Sequence, residues 1–297
     1  MKCSFALDFL GVICKIALKS LQSICTRQRK YLLRSPHFNM KIALIILAAI
    51  ILGVVVFFST QDRDKVNRPT ASNDKVIWTF DGQKWQANGT PPACPEPSII
   101  YSPVNLSLVS GILYPGQLRG GDYKPHGGFR FDNSDTNEIE VRAIMDGYIL
   151  KVARYQENGE VQNLLSYVND CGIMVMHDHL LTLSPRLQET FDMLIIGHGG
   201  DSRTTNTASV NIKKGEVLAT EVGFRESKNI FVGFGLYDLR KTNGVNYSSD
   251  FRAKNPNVNE YGTYALCWFD YLVSEDEEIV RKLPAGGNEG KTSDYCK

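Results

Sequence analysis

The side chains of this chain that could do chemistry fall in three short runs. The first is His126-Gly-Gly-Phe-Arg130-Phe-Asp132. A neutral imidazole can hold a metal or carry a proton, and residues two apart on a strand share a face with it. Arg130 is different: a guanidinium stays protonated and offers only donors, so it can grip an anion but never a metal. The second run is His177-Asp178-His179, whose imidazoles would share a face on an extended segment, a spacing compatible with a metal pair. Such a triplet at a hairpin tip is more often simply solvated. The third run is Phe234-Gly-Leu236-Tyr-Asp238-Leu-Arg240, in which an acid and a base follow apolar residues. Arg186 and His198 stand apart from all three.

The elements that must position these groups are mostly strands. Ile99–Tyr101, Leu108–Tyr114, Ile139–Ile144, Gly147–Ala153, Ile173–Met176, Leu180–Leu183, Glu216–Thr220 and Ile230–Tyr237 lack helical periodicity and are bounded by Gly, Pro, Asn and Asp. Short strands at close spacing predict an antiparallel β fold, with 155–168 and 197–209 as surface connections. Upstream, Val76–Phe80 and Gln83–Gln86 read as a hairpin about a two-residue Asp81-Gly82 turn, followed by a proline-rich loop at 91–97. Near the end, Ser274-Glu-Asp-Glu277 reads as a capping box opening a helix over 275–283, which Pro284 stops.

Hydrophobic content of 43% and charged content of 22% are those of a globular chain; a net charge of +1, with basic residues scattered apart from a cluster near the N-terminus, gives no global field favouring nucleic acid, and none is expected as a partner. Ile42–Phe58 is an uncharged apolar run near the lower limit of about 17 to 25 residues needed to span a bilayer. Arg27, Arg29, Lys30, Arg34 and Lys41 precede it, so the positive-inside rule keeps the N-terminus cytoplasmic and exports the residues beyond the run. Phe57-Phe58-Ser59-Thr60 lacks a signal-peptidase pattern, which favours an uncleaved single-pass anchor over 40–60. Residues 1–39 are then a cytoplasmic extension, or stem from a misassigned start ahead of Met40; 61–73 is a linker. Cys94, Cys171, Cys267 and Cys296 lie beyond the anchor. An even set of four in an oxidising compartment allows two disulfides in any of three connectivities, or four separate thiols; no pair is spaced Cys-x-x-Cys.

Five segments in order resemble the M23 (LytM/lysostaphin-like) zinc metallopeptidase family. The His126 run stands where the family has His-x-Gly-x-Asp. Val141-Arg-Ala-Ile-Met-Asp-Gly147-Tyr-Ile is similar to its Val-x-Ala-x-x-x-Gly-x-Val turn. Val175 to Leu187, with His177 and Arg186, is similar to the strand pair ending Tyr-x-His-Leu. Val210–Leu218 is similar to its Val-x-x-Gly-x-x-Ile hairpin. Phe234–Arg240 falls where the family has His-x-His-Phe-Glu-x-Arg. The resemblance covers about Leu106 to Arg240 and implies a barrel-sandwich-hybrid β domain over 106–245. A hairpin and proline-rich loop at 74–105 would precede it and a C-terminal extension at 246–297 would complete the chain.

By position, the family's three zinc ligands become His126, Arg130 and Leu236, and the two histidines that assist attack by water become Arg186 and Phe234. The resemblance therefore implies a degenerate member with a vestigial His126, no catalytic residue and no cofactor. Arg130, Arg186 and Asp238 would form an anion pocket or an ionic network there. The expected role is a binding or regulatory module of the cell envelope, with peptidoglycan or an envelope protein as partner. One alternative is an active peptidoglycan endopeptidase holding zinc through rearranged ligands among Asp132, His177, Asp178, His179 and His198. Another is a lipoyl-like hybrid-barrel membrane adaptor, which would lack the His-x-Gly loop.

Overall fold

The computed structural model describes residues 75–95, 100–194, 203–205 and 209–297. The extension at 1–39, the anchor at 40–60, the linker at 61–73 and His198 lie outside the described residues. Among those described, no helix is long and apolar enough to cross a membrane.

Mainly antiparallel β-structure is what the strand pattern predicts and what the chain forms. In chain order the strands are β1 Trp78–Phe80, β2 Trp85–Ala87, β3 Gly111–Leu113, β4 Gln117–Arg119, β5 Asp122–Lys124, β6 Gly127–Arg130 and β7 Val141–Arg142. They continue with β8 Gly147–Glu157, β9 Glu160–Val168, β10 Ile173–Leu183, β11 Arg203–Thr205, β12 Asn211–Ile212, β13 Val217–Val222 and β14 Phe231–Asp238. The main sheet runs β11-β8-β9-β10-β14-β6-β3, with β12 on β8 and β13 bridging β10 to β7. β1 pairs with β2 and β4 with β5, each as a separate hairpin.

Side-chain alternation sorts this sheet into two buried faces. Along β14, Val232, Phe234 and Leu236 enter the main core with Phe129, Tyr167 and Trp268. Tyr237 points the other way, joining Met174, Met176, Tyr148, Trp78 and Trp85 beneath the β1–β2 hairpin. Trp85 fastens that hairpin by donating from Nε1 to the Glu260 carbonyl at 2.9 Å.

Several elements differ from their sequence pattern. β8 and β9 form one long hairpin where a surface connection is expected over 155–168, turning at Asn158 (φ 51°) and Gly159 (φ 83°). Both turn residues need positive φ, which Asn-Gly supplies. Gly159→Ala should therefore cost about 1–2 kcal/mol in urea denaturation, and an unchanged midpoint would refute that turn. Ile173–Met176 and Leu180–Leu183 are one continuous strand, β10, with the His-Asp-His triplet inside it rather than at a tip. The Asp81 turn spans four residues: Asp81 Oδ1 accepts from the amides of Gln83 and Lys84 at 2.8 Å each, and only Gly82 has positive φ. At the C-terminal helix, Ser274–Lys282, Ser274 is already helical and no side chain caps the start. Asp276 instead accepts from the Ser102 amide at 2.9 Å, and Arg281 pairs with Glu277 and Asp270.

The four cysteines beyond residue 60 pair as Cys94–Cys171 and Cys267–Cys296. The second bridge holds a tail that is woven into the fold. Pro284 O accepts from Ile112 N at 2.9 Å, and Gly286 N donates to Ile112 O at 2.8 Å, extending the sheet beyond β3. Tyr295 and Asp294 complete a hydroxyl cluster with Tyr123 and Tyr247.

Candidate functional site

His126 sits just before β6, so alternation places it on the face opposite Phe129, together with Gly128 and Arg130. On neighbouring β14 the residues facing that way are Gly233 and Gly235. A Cβ built on Gly233 would lie 3.3 Å from His126 Cδ2 and 2.9 Å from Asp178 Cβ. One built on Gly235 would lie 2.6 Å from the Tyr237 hydroxyl. Glycine at both positions thus lets an imidazole, a carboxylate and a phenol close over the strand. The Tyr155 hydroxyl, at the outer end of β8, donates to Asp178 Oδ1 at 2.6 Å. The resulting cluster is His126, Tyr155, Asp178 and Tyr237.

A bulge aims Asp178 at this cluster. His179 adopts φ 61°, uncommon for a residue with a side chain, and the β9 register slips between His177 and Leu180. The turned His179 amide donates to Asp178 Oδ1 at 2.8 Å, and its ring packs at a tilt against Phe231 and Phe224. His177 and His179 therefore do not share a face. His177 is fully buried in the main core between Tyr167 and Phe234, and neither of its ring nitrogens has a hydrogen-bond partner.

The electrostatics arise from burial. Desolvation lowers the His126 pKa to about 3, with Asp178 opposing and Arg119 and Lys124 adding. Burial alone would raise the Asp178 pKa; the charges of His179 and His126, the Tyr155 hydroxyl and the His179 amide outweigh it and hold the carboxyl below its ordinary value. Burial, then the Asp178 charge, push the Tyr155 and Tyr237 phenols up.

The other sequence candidates lie elsewhere. Phe234 and Leu236, expected beside His126, face the main core on the opposite side of the sheet. Arg130 shares the His126 face but lies at the far end of β6, its guanidinium held by Asp132 and its stem packed on Gly286. Arg186 pairs with Glu216 and donates to Asn211 O at 3.0 Å. Asp238 is bound by Arg240 through two hydrogen bonds of 2.8 Å. Arg130, Arg186 and Asp238 are thus each satisfied separately and do not meet. Tyr155, Asp178 as partner to His126, and Tyr237 are what sequence reasoning misses. The signal for the last is the Gly233-x-Gly235-x-Tyr237 alternation, which marks one strand face cleared for larger neighbours.

These residues do not fit zinc. A hydrolytic site needs three protein ligands and an open position. Among the described residues no three His, Cys, Asp or Glu side chains converge as a metal requires.

No protein-family model matches the chain, and no curated protein matches it. Among solved structures, Helicobacter pylori Csd3 is similar at 10% identity and a TM-score of 0.33, over 69% of this chain and 45% of that one. Lysostaphin, solved by NMR, is similar at 17% identity and a TM-score of 0.29, over 52% of this chain and 51% of that one. The chain spans about half the length of each.

Proposed function

We propose that this chain is a degenerate M23-like β domain that binds cell-envelope material, peptidoglycan or an envelope protein, without cutting it. Residues 40–60 anchor it in the membrane, and the β domain lies outside the cytoplasm. The ordered series of family-like segments from Leu106 to Arg240 supports the domain type. The apolar run Ile42–Phe58 supports the anchor, and two disulfides suit an oxidising compartment.

The observation that carries the reading is the strand opposite His126. The two β14 positions facing the imidazole are Gly233 and Gly235, which have no side-chain donor to give a metal. Asp178 comes close, and His179 Nε2 lies 3.9 Å from its Oδ2, but among the described residues these side chains do not converge as the three ligands that a hydrolytic zinc needs. The groups that remain, His126, Tyr155 and Asp178, form a polar cluster that can accept and donate hydrogen bonds.

Purified full-length chain, supplied with excess zinc and desalted, should retain substoichiometric metal by elemental analysis. It should sediment with isolated sacculi and release no soluble fragments from them. Stoichiometric zinc together with fragment release would replace this reading with that of an endopeptidase. Failure to sediment with sacculi would leave an envelope protein as the partner.

A further inference from the structure

We infer that Asn158-Gly159, at the tip of the β8–β9 hairpin, is a site of spontaneous covalent modification, at which the asparagine closes to a succinimide and water opens it to aspartate and isoaspartate. The Gly159 backbone nitrogen attacks Asn158 Cγ, the Cγ–Nδ2 bond breaks, and the proton lost from the Gly159 amide leaves with that nitrogen as ammonia. Water then adds to one of the two imide carbonyls and a ring C–N bond breaks. Breaking the bond at Cγ leaves aspartate; breaking the bond at the main-chain carbonyl leaves isoaspartate, with the chain running through Cβ and Cγ. No enzyme is needed, because the two reacting groups are held next to each other in one chain. Glycine is the following residue that crowds the attacking nitrogen least.

The sequence has three Asn-Gly pairs, at 88, 158 and 243, and the fold separates them. Asn243 is tied through both ends of its carboxamide. Its Nδ2 donates to Gly262 O at 2.8 Å and to Ala265 O at 2.9 Å, while Oδ1 accepts from Val245 N at 3.0 Å. Asn88 is held beside β1: its Oδ1 accepts from Ile77 N at 2.8 Å, and its own amide donates to Ile77 O at 3.0 Å. The Asn158 carboxamide has no hydrogen-bond partner among the described residues, and both Asn158 and Gly159 are exposed. Gly159 lies between the last paired residues, Glu157 and Glu160, so its N–H takes no part in the ladder. A Cβ built on Gly159 would meet nothing within 4 Å, so the space around the attacking nitrogen is open.

The pair that closes this turn is itself weak. Glu157 stands opposite Glu160, two like charges across the strands, which favours local opening of the tip. Conversion weakens it further. Either product adds a carboxylate beside the two glutamates, and isoaspartate also adds a backbone carbon to a two-residue turn. The strand end that then loses its pairing carries Tyr155, whose hydroxyl donates to Asp178 Oδ1 at 2.6 Å. The modification therefore reaches the His126 cluster through β8, whatever that face binds.

The test is peptide mapping by mass spectrometry of the full-length wild-type chain, aged in its folded state at mildly alkaline pH, with isoaspartyl methyltransferase labelling of the products. Residue 158 should convert roughly tenfold faster than residues 88 and 243, because the hydrogen bonds that restrain the other two must break first. In denaturant the three rates should converge. Equal or faster conversion at 88 or 243 in the folded chain overturns the site. So does a residue 158 that stays intact when folded and converts only in denaturant. A preference for 158 that persists unchanged in denaturant would take the fold out of the explanation. Hydrogen exchange of the aged protein reads the consequence: amides over 155–162 should exchange faster than in fresh protein, and unchanged exchange there overturns the link to Tyr155. None of these readings requires a variant to fold.

Discussion

Moving from pH 7.5 to pH 5 should cost the native state about 2 kcal/mol through His177 alone, and His177→Leu should abolish that loss. The imidazole is wholly buried among Tyr167, Phe234 and the main core, and desolvation lowers its pKa to about 3. In the unfolded chain the same group titrates near 6.5. Between those values the unfolded state binds the extra proton, so stability falls as pH falls. The loss begins near the unfolded pKa and is complete below about pH 3, where it amounts to about 5 kcal/mol. His126 acts in the same direction, but it is partly exposed and faces Asp178, so its share is smaller. Leucine at 177 removes two unpartnered nitrogens as well as the titration. The variant should therefore be more stable by about 1–3 kcal/mol even at pH 7.5. Urea denaturation at a series of pH values from about 4.5 to 8 reads both effects. Parallel stability curves for the two proteins would show that His177 does not titrate on unfolding.

The same histidine shows why part of the fold is not legible in the sequence. His177-Asp178-His179 between two apolar runs has the composition of a turn, so the pattern divides β10 in two. The fold overrides it because β9 and β14 flank the segment on both sides and supply its backbone hydrogen bonds. Residues 155–163 are a parallel case. Their polarity reads as a connection, although Asn158-Gly159 is a hairpin pair, and two paired strands can carry polar side chains where they run out toward solvent. Strand existence and antiparallel pairing are legible, since they come from local alternation. Strand length is not, because it depends on partners distant in sequence.

For the candidate site the limit is one of facing. The imidazole of His126 is identifiable from the sequence, and Arg130 is visibly unable to serve as a metal ligand. Which β14 residues look at His126 depends on a shift of a single residue, and such a shift exchanges one face for the other. Aligned by motif, Phe234 and Leu236 come to the His126 face; in the fold they are core and Gly233 and Gly235 take their place. Asp178 joins the cluster only because His179 bulges, a local backbone event with no sequence rule to announce it. The pairing of Cys94 with Cys171 and of Cys267 with Cys296 is likewise tertiary: four thiols admit three patterns, and packing chooses one.

Trp268→Ala should cost about 3–5 kcal/mol, the largest single effect expected from the C-terminal segment. Trp268 is 0% exposed, with its ring 5.0 Å from Phe129, 5.1 Å from Phe234 and 4.3 Å from Phe269. It fills the core side of the sheet behind the His126 face, where a Cβ on Gly127 would come within 3.0 Å of its Nε1. Removing it leaves a void bounded by rigid aromatic rings and strand backbone, which cannot collapse to fill it. For a domain of this size the melting temperature should fall by roughly 6–20 °C. Trp268→Phe is the informative companion. It keeps most of the apolar surface and deletes an indole N–H that has no partner, so its cost should stay below about 1.5 kcal/mol. A large loss for alanine with a small one for phenylalanine identifies packing as the cause. It would also mean that residues 265–297, tied by Cys267–Cys296 and by the Ile112 backbone to Pro284 and Gly286, complete the β domain's core and are no dispensable appendage. If alanine costs less than about 1 kcal/mol, the core closes without this segment, and Phe129 and Phe234 must then pack against each other alone.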